Sequence, residues 1–254
     1  MSDMFGDAYA RYYDLLYRDK DYAAEAASVA SLLKQHGIES GALLDLGCGT
    51  GRHAVELTRL GYDVLGIEKS GAMLRTADTR RLQNTGGRLE FKAGDVRTYR
   101  HTRVFDAVTS LFHVVSYQTT NQDLIATLET AAHHLRRGGL FIFDCWYGPA
   151  VLSESPSARI KRITDDTITI VRLAEPVLDV RRNLARISYT LLVQQTGREL
   201  QDWSETHCMR YFFEPELCEL LKRAGFEVCD AHESATGRPL GMDTWSATFV
   251  AKRQ

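Results

Sequence analysis

Residues 43–57 read "LLDLGCGTGRHAVEL", and this stretch decides the fold. Four mostly apolar residues are followed by glycines at 47, 49 and 51, and then by apolar residues at helical spacing. An unbroken apolar run is the mark of a strand buried on both faces, and a glycine turn leading into a helix is how a parallel α/β unit begins. A phosphate-cradling loop of the G-x-x-x-x-G-K-[ST] type needs a Lys-Ser/Thr pair that is absent here. The dinucleotide fingerprint G-x-G-x-x-G would require a third glycine where Arg52 stands.

The same alternation extends to both sides of this stretch. Upstream, "DYAAEAASVASLLKQH" (21–36) has helical periodicity and stops at Gly37. Downstream, the helix over 52–61 closes at Gly61, and "DVLGIEKS" reads as a strand. "GAMLRTADTRRLQN" reads as a helix behind Ser70 as its N-cap, and "LEFKAGDV" and "FDAVTSLF" as two further strands. A helix over "NQDLIATLETAAHHLRR" (121–137) is expected to end at Gly138 and Gly139 before the strand "GLFIFDCW". Met1 to Trp146 therefore reads as a doubly wound α/β unit. After Pro156 the chain turns rich in Ile, Val, Thr and Tyr, and alternation in "TITIVRL" and "ISYTLLV" predicts an antiparallel insertion of three or four strands. The helix "EPELCELLKRAG" and the strands "FEVCDAHES" and "TWSATFVAKR" then resume the α/β pattern.

Composition narrows the class. The 254 residues carry 31 Lys and Arg against 33 Asp and Glu, a net charge of -2, with no basic block. This argues against a nucleic-acid or anionic-membrane partner. The N-terminus shows no apolar signal segment, and the longest apolar run is broken by Asp144, so no membrane span is expected. Five cysteines without a C-x-x-C pair suggest reduced thiols and a cytoplasmic location.

The ligand of the glycine turn follows from three acids. Asp45, two residues before Gly47, would oppose a pyrophosphate but would welcome a cationic amino group. That selects S-adenosylmethionine, which carries an ammonium and a sulfonium and leaves S-adenosylhomocysteine as product. Glycines let the backbone approach such a ligand closely, so Gly47, Cys48 and Gly49 join the cofactor set. Glu68, with Lys69 beside it, ends the next strand and is placed to grip the ribose hydroxyls. Asp95 ends the strand after that, where its side chain can reach the adenine amino group and the Val96 amide a ring nitrogen. Met73 could pack on the adenine or be plain core. Leu111 and Phe112 lie at the carboxyl end of a strand, where ligands bind in such sheets.

On "LLDLGCGTG", "VLGIEKSGAML", "FKAGDV" and "FDAVTSLF" the chain resembles the class I S-adenosylmethionine-dependent methyltransferases. The resemblance implies an α/β, Rossmann-like, seven-stranded sheet whose last strand is antiparallel, with the β insertion before the last helix. Within that class, "YYDLLYRDKDY", "FDCWYGPAVL" and "ETHCMRYFFEPELCELLKRAGF" are similar to the N,N-dimethyltransferases of nucleotide-linked amino deoxysugars of desosamine and mycaminose biosynthesis. A single methyltransferase domain over 1–254 is then expected. Residues 1–150 and 211–254 would form the cofactor-binding core, and 157–210 an insertion covering the acceptor site. The same resemblance makes Tyr13 and Tyr22 lid tyrosines over the methionine portion; their structural alternative is to staple the first helix to the sheet. The chain departs from those relatives in "LFHVVSYQTTNQDL", where His113 comes earlier than their histidine and Tyr117 stands near its place.

Methyl transfer from a sulfonium needs mainly alignment, and positioning alone contributes roughly 7 to 11 kcal/mol. A base is a further aid, and His113, Tyr117 and His207 are the candidate catalytic groups. Asp144, Trp146, Tyr147, Glu205 and Arg159 are the candidate acceptor-binding residues. A cross-strand polar pair would equally explain Glu205 and His207. Arg159 belongs to a cluster of insertion cations that would suit a diphosphate or would guard an edge strand. Glu129 and His133 share a helix face without a third ligand, so no metal is expected. The expected partner is a small-molecule acceptor, a nucleotide sugar, with a homo-oligomer left open. An O-methyltransferase of a carbohydrate or other secondary metabolite is the nearest alternative, and a non-catalytic cofactor-binding scaffold a more remote one.

Overall fold

The computed structural model describes residues 6–84 and 86–254. Helices α1 (Asp7–Leu16) and α2 (Tyr22–Gln35) precede strand β1 (Gly41–Leu46), α3 (Arg52–Arg59), β2 (Tyr62–Glu68), α4 (Gly71–Gln83), β3 (Leu89–Ala93) and β4 (Phe105–Ser110). A 3-10 turn, Val115–Tyr117, leads to α5 (Asn121–His134), β5 (Leu135–Tyr147) and α6 (Gly148–Glu154). The insertion is β6 (Arg159–Thr164), β7 (Ile168–Asp179), β8 (Leu184–Gln195) and β9 (Gln201–Phe212); α7 (Glu214–Arg223), β10 (Phe226–Glu233) and β11 (Ser246–Arg253) follow. Side-chain caps set the helix starts: Asp21 accepts from the Ala24 amide at 2.9 Å and Thr120 from the Asp123 amide at 3.0 Å.

The sheet has the expected doubly wound order. Strands β3, β2, β1, β4 and β5 are neighbours in that sequence and all parallel. β11 then runs antiparallel to both β5 and β10 and completes the seven-stranded α/β sheet. Successive residues of β1 serve opposite faces, as the pleat requires. Leu44 and Leu46 join α5 and α7 in one core, while Leu43 joins α2 and α3 in the other. Covering both faces is what allows these strands to be apolar throughout.

β5 is long enough to hold two neighbours in turn along one edge. β4 pairs with it as far as Phe143, and beyond that point β9 pairs in parallel with Trp146 and Tyr147. The other edge of β5 is occupied by β11 over the same residues. The four antiparallel strands of the insertion thus continue the sheet past the carboxyl end of β4. They do not stand apart from it.

Two helices lie where the sequence suggested none, and one ends early. α1 carries Tyr9, Tyr12 and Leu16 onto Ile163, Ile170, Leu191 and Val193 of the insertion, so its partners are about 150 residues away in the chain. α6 starts with Pro149 in its first turn, a position where the missing amide costs nothing. The helix expected over 121–137 ends at His134. Leu135 is 6% exposed and faces Phe105 across the ladder, and Gly138 (φ +76°) absorbs the register shift. Burying Leu135 in the sheet core outweighs three more residues of helix. Among the described residues no helix is long and apolar enough to cross a membrane.

Candidate active site

The carboxyl ends of β1 to β4, helix α1 and the inner strands of the insertion enclose a cavity of about 760 Å³. The glycine turn forms its floor. Gly47, Gly49 and Gly51 all have positive φ (80°, 56° and 79°), which an L side chain rarely adopts. A Cβ on Gly47 would lie 2.6 Å from a Val114 methyl, and one on Gly51 2.5 Å from the Phe91 ring. The turn is therefore closed to side chains from behind.

The three acids line this cavity together. Asp45 is 2% exposed and accepts from the Thr109 hydroxyl at 2.9 Å; burial is the main reason its pKa is pushed up to about 6. Glu68 accepts from the amides of Gly49 (2.9 Å) and Ser70 (2.7 Å), which ties the turn to β2. Desolvation by burial nevertheless raises its pKa. Asp95 is held by Arg97 through Nε at 2.9 Å and a terminal nitrogen at 2.6 Å, with Lys69 at 3.2 Å. That clamp keeps its carboxyl far below the usual range. Val96, buried Met73, Leu111 and Phe112 line the same space.

β4 ends in an unusual bend. Phe112 and His113 both have φ of 66°, a conformation costing roughly 1 to 3 kcal/mol for each such residue. Asp144 on β5 holds it, accepting the His113 amide at 3.1 and 3.2 Å and lying 2.8 Å from Nδ1 of the same ring. Burial alone would raise the Asp144 pKa, but His113 holds it below the ordinary value. His113 is thus bound to the scaffold by backbone and ring.

Over the top of the cavity runs an aromatic stripe. Tyr9 and Tyr13 of α1 and Tyr17 at its C-cap follow one another at i, i+4 spacing, and Tyr17 meets Phe112 edge-on at 5.1 Å. Tyr22 sits beneath Arg52, whose guanidinium carbon is 4.3 Å from the ring, and 4.8 Å from the His53 ring. Its hydroxyl is buried with no hydrogen-bond partner among the described residues. α1 is latched to the turn by Asp14, which accepts from the Thr50 hydroxyl at 2.9 Å and from Arg80 at 2.6 Å. Arg80 also donates to the Thr50 carbonyl at 2.6 Å.

On the insertion side, Tyr117 and Nδ1 of His207 are 2.8 Å apart, and Nε2 of His207 is 2.5 Å from Glu205. The Tyr189 ring lies edge-on to His207 at 4.9 Å. Trp146 packs with Tyr117 against Ala185, Ile187 and Met209.

All thirteen residues expected to touch the cofactor line this one cavity, as do His113, Tyr117 and His207. Of the expected acceptor residues only Trp146 lines it. Asp144 and Glu205 stand behind His113 and His207 as their partners. Tyr147 is buried in the main core. Arg159 is exposed at the start of the outermost strand, opposite Ala174, and does not line the cavity. Sequence reasoning passed over Tyr9 and Tyr17, although their spacing from Tyr13 was visible, and Arg97, two residues after Asp95. Arg172 belongs to the insertion cations that the sequence offered for a diphosphate, but nothing local marked Tyr189, and the two become neighbours only when β7 and β8 pair.

The methyltransferase domain family matches residues 43–139. Over 93% of its length the chain is 32% identical to the dTDP-3-amino-3,4,6-trideoxy-alpha-D-glucopyranose N,N-dimethyltransferase of Streptomyces venezuelae, covering 98% of that protein. It is 30% identical to the dTDP-4-amino-2,3,4,6-tetradeoxy-D-glucose N,N-dimethyltransferase of Saccharopolyspora spinosa, over 94% of this chain and 92% of that one. The crystal structure of Streptomyces venezuelae DesVI superposes with a TM-score of 0.80 at 30% identity, covering 96% of this chain and 98% of that one. The S-adenosylmethionine-bound structure of CalS10, an amino pentose methyltransferase from Micromonospora echinaspora, gives 0.76 at 26% identity, covering both chains fully.

Proposed function

The chain belongs to the S-adenosylmethionine-dependent N,N-dimethyltransferases of nucleotide-linked amino sugars, and we propose that it methylates the amino group of such a sugar, carried on a nucleoside diphosphate. The observation that carries this reading is the two-sided cavity: carboxylates and a glycine turn on one side, tyrosines, Trp146 and His207 on the other.

The residues present fit S-adenosylmethionine. Asp45 is a buried acid that lines the cavity and accepts from Thr109, and Tyr22 offers a buried hydroxyl without a hydrogen-bond partner among the described residues. We assign Asp45 and the Gly47–Gly49 backbone to the methionine end, Glu68 to the ribose, and Asp95, Val96 and Met73 to the adenine. The cofactor supplies an electrophilic methyl group with a good leaving group. The chain's own task is then to hold the acceptor nitrogen in line, to exclude water, and to take up the proton that the amine releases. α1 and the insertion serve the first two ends by closing the cavity with aromatic rings. Arg172, which has no carboxylate partner among the described residues, donates to Tyr17 at 3.0 Å and lies over the Tyr17 and Tyr189 rings that line the cavity.

Turnover with a panel of nucleotide-linked 3-amino-, 4-amino- and plain deoxysugars, read by mass spectrometry, tests the proposal. A gain of 14 or 28 mass units on amino sugars alone is expected. Methylation of the plain deoxysugars instead would assign the enzyme to oxygen acceptors.

A further inference from the structure

We infer that Tyr117, His207 and Glu205 form a proton relay that removes the acceptor ammonium proton. The inference rests on the amino-sugar reading above and adds to it the group that makes the amine nucleophilic.

Three observations carry it. First, the three side chains are connected in series. Glu205 can only accept, so Nε2 of His207 bears a proton, and in the neutral ring Nδ1 is left to accept from the Tyr117 hydroxyl 2.8 Å away. Second, the series has one end at the cavity and the other behind it. Tyr117 and His207 line the cavity, whereas Glu205 lies outside the lining with its side chain 12% exposed. Third, His113 has a different partner and is not a member of this series: its amide donates to Asp144 at 3.1 Å and its Nδ1 lies 2.8 Å from the same carboxylate.

Among the described residues, the groups facing this relay come from α1 and its C-terminal end, β7 and β8. Tyr9 of α1 stacks obliquely on His207 at 5.4 Å, Tyr189 of β8 meets it edge-on, and Arg172 of β7 lies 5.2 Å from the Tyr189 ring centre. Tyr13 of α1 and Tyr17 just after it are further phenols near Tyr117. Burial disfavours a free tyrosinate at Tyr117, and the 2.8 Å contact to Nδ1 of His207 lets its hydroxyl proton leave as the ammonium proton arrives. An N–H proton of the ammonium goes to the Tyr117 oxygen while the Tyr117 hydroxyl proton goes to Nδ1 of His207. The nitrogen regains its lone pair, and the imidazolium formed is balanced by the Glu205 carboxylate. A second methylation of the same nitrogen requires the relay to act once more, because the monomethylated ammonium again carries protons.

The test is the pH profile of kcat between pH 6 and 9.5 for the wild type, Tyr117→Phe and Glu205→Gln with an accepted amino sugar. Calorimetric S-adenosylhomocysteine binding identifies variants that remain folded. Base assistance typically amounts to about 10²- to 10⁴-fold. Tyr117→Phe is therefore expected to lose at least ten- to a hundred-fold in kcat at pH 7. It should recover as the pH approaches the pKa of the free amine, with cofactor affinity unchanged. Glu205→Gln, which keeps the shape but not the charge, should shift the profile in the same direction by less. Profiles parallel to the wild type would overturn the relay and leave the amino-sugar reading intact. A wild type that turns over no amino sugar would overturn both.

Discussion

Asp45 shows how one residue couples the fold to the ligand. Its pKa of about 6 lies above the ordinary carboxylate value, because the charged form is buried and its one strong local donor is the Thr109 hydroxyl. A raised acid pKa means that the folded state favours the protonated form. The penalty for ionising Asp45 is therefore absent below about pH 4 and complete above about pH 6, and a shift of about two units corresponds to roughly 3 kcal/mol. Asp45 is expected to take stability from the cofactor-free protein as the pH rises from 4 to 6, and Asp45→Asn to flatten that fall without abolishing it, because Glu68 is raised in the same direction; thermal unfolding across this range measures both. The same substitution takes away the charge offered to the cofactor's ammonium. Binding measured by calorimetry at pH 7.5 is expected to weaken about ten- to a hundred-fold, the usual scale for a hydrogen bond to a charged group.

At the scale of the element, α1 joins two distant parts of the chain. Its tyrosines and Leu16 pack on the insertion, while Asp14 reaches the glycine turn and α4. Cutting the latch with Asp14→Ala frees the helix from the cofactor side but leaves its apolar packing whole. Steady-state kinetics are expected to show KM for S-adenosylmethionine raised several-fold with a smaller change in kcat. Limited proteolysis should cut faster near Lys20 in the variant, and cofactor should protect less than in the wild type. The aromatic spacing of α1 was legible in the sequence as Tyr9, Tyr13 and Tyr17. Its helical state was less so, because the face they form is satisfied by strands about 150 residues away.

At the scale of the whole molecule, the two sheets are one continuous structure because β5 outruns β4 and takes β9 as its next neighbour. This arrangement sorts the five cysteines by depth. Cys48 and Cys145 are buried, and burial raises both thiol pKa values well above normal; Cys208 and Cys218 are half-buried and Cys229 is exposed. A disulfide-forming thiol reagent is expected to modify Cys229 first and the half-buried pair more slowly. Cys48 and Cys145 should react only on unfolding, with peptide mass spectrometry reading the order. Modification of Cys145 at the same rate as Cys229 would mean that the β5 core opens far more readily than its packing implies.

The sequence by itself determined the α/β class, the parallel character of its first strands, the cofactor and three acids that come to line one cavity. These follow from local signals: apolar runs, glycines at positions needing positive φ, and acids at strand ends, where the geometry of a parallel sheet brings them together. Only the tertiary structure decided which of the remaining polar residues share the cavity. It set His113 against Asp144, joined Tyr117 to His207 across 90 residues, and brought Arg172 over the Tyr189 ring. The reason is register. Which face a strand residue presents changes with a shift of one position, and the register of β6 to β9 is set by their pairing with one another and with β5, which no short stretch of sequence contains.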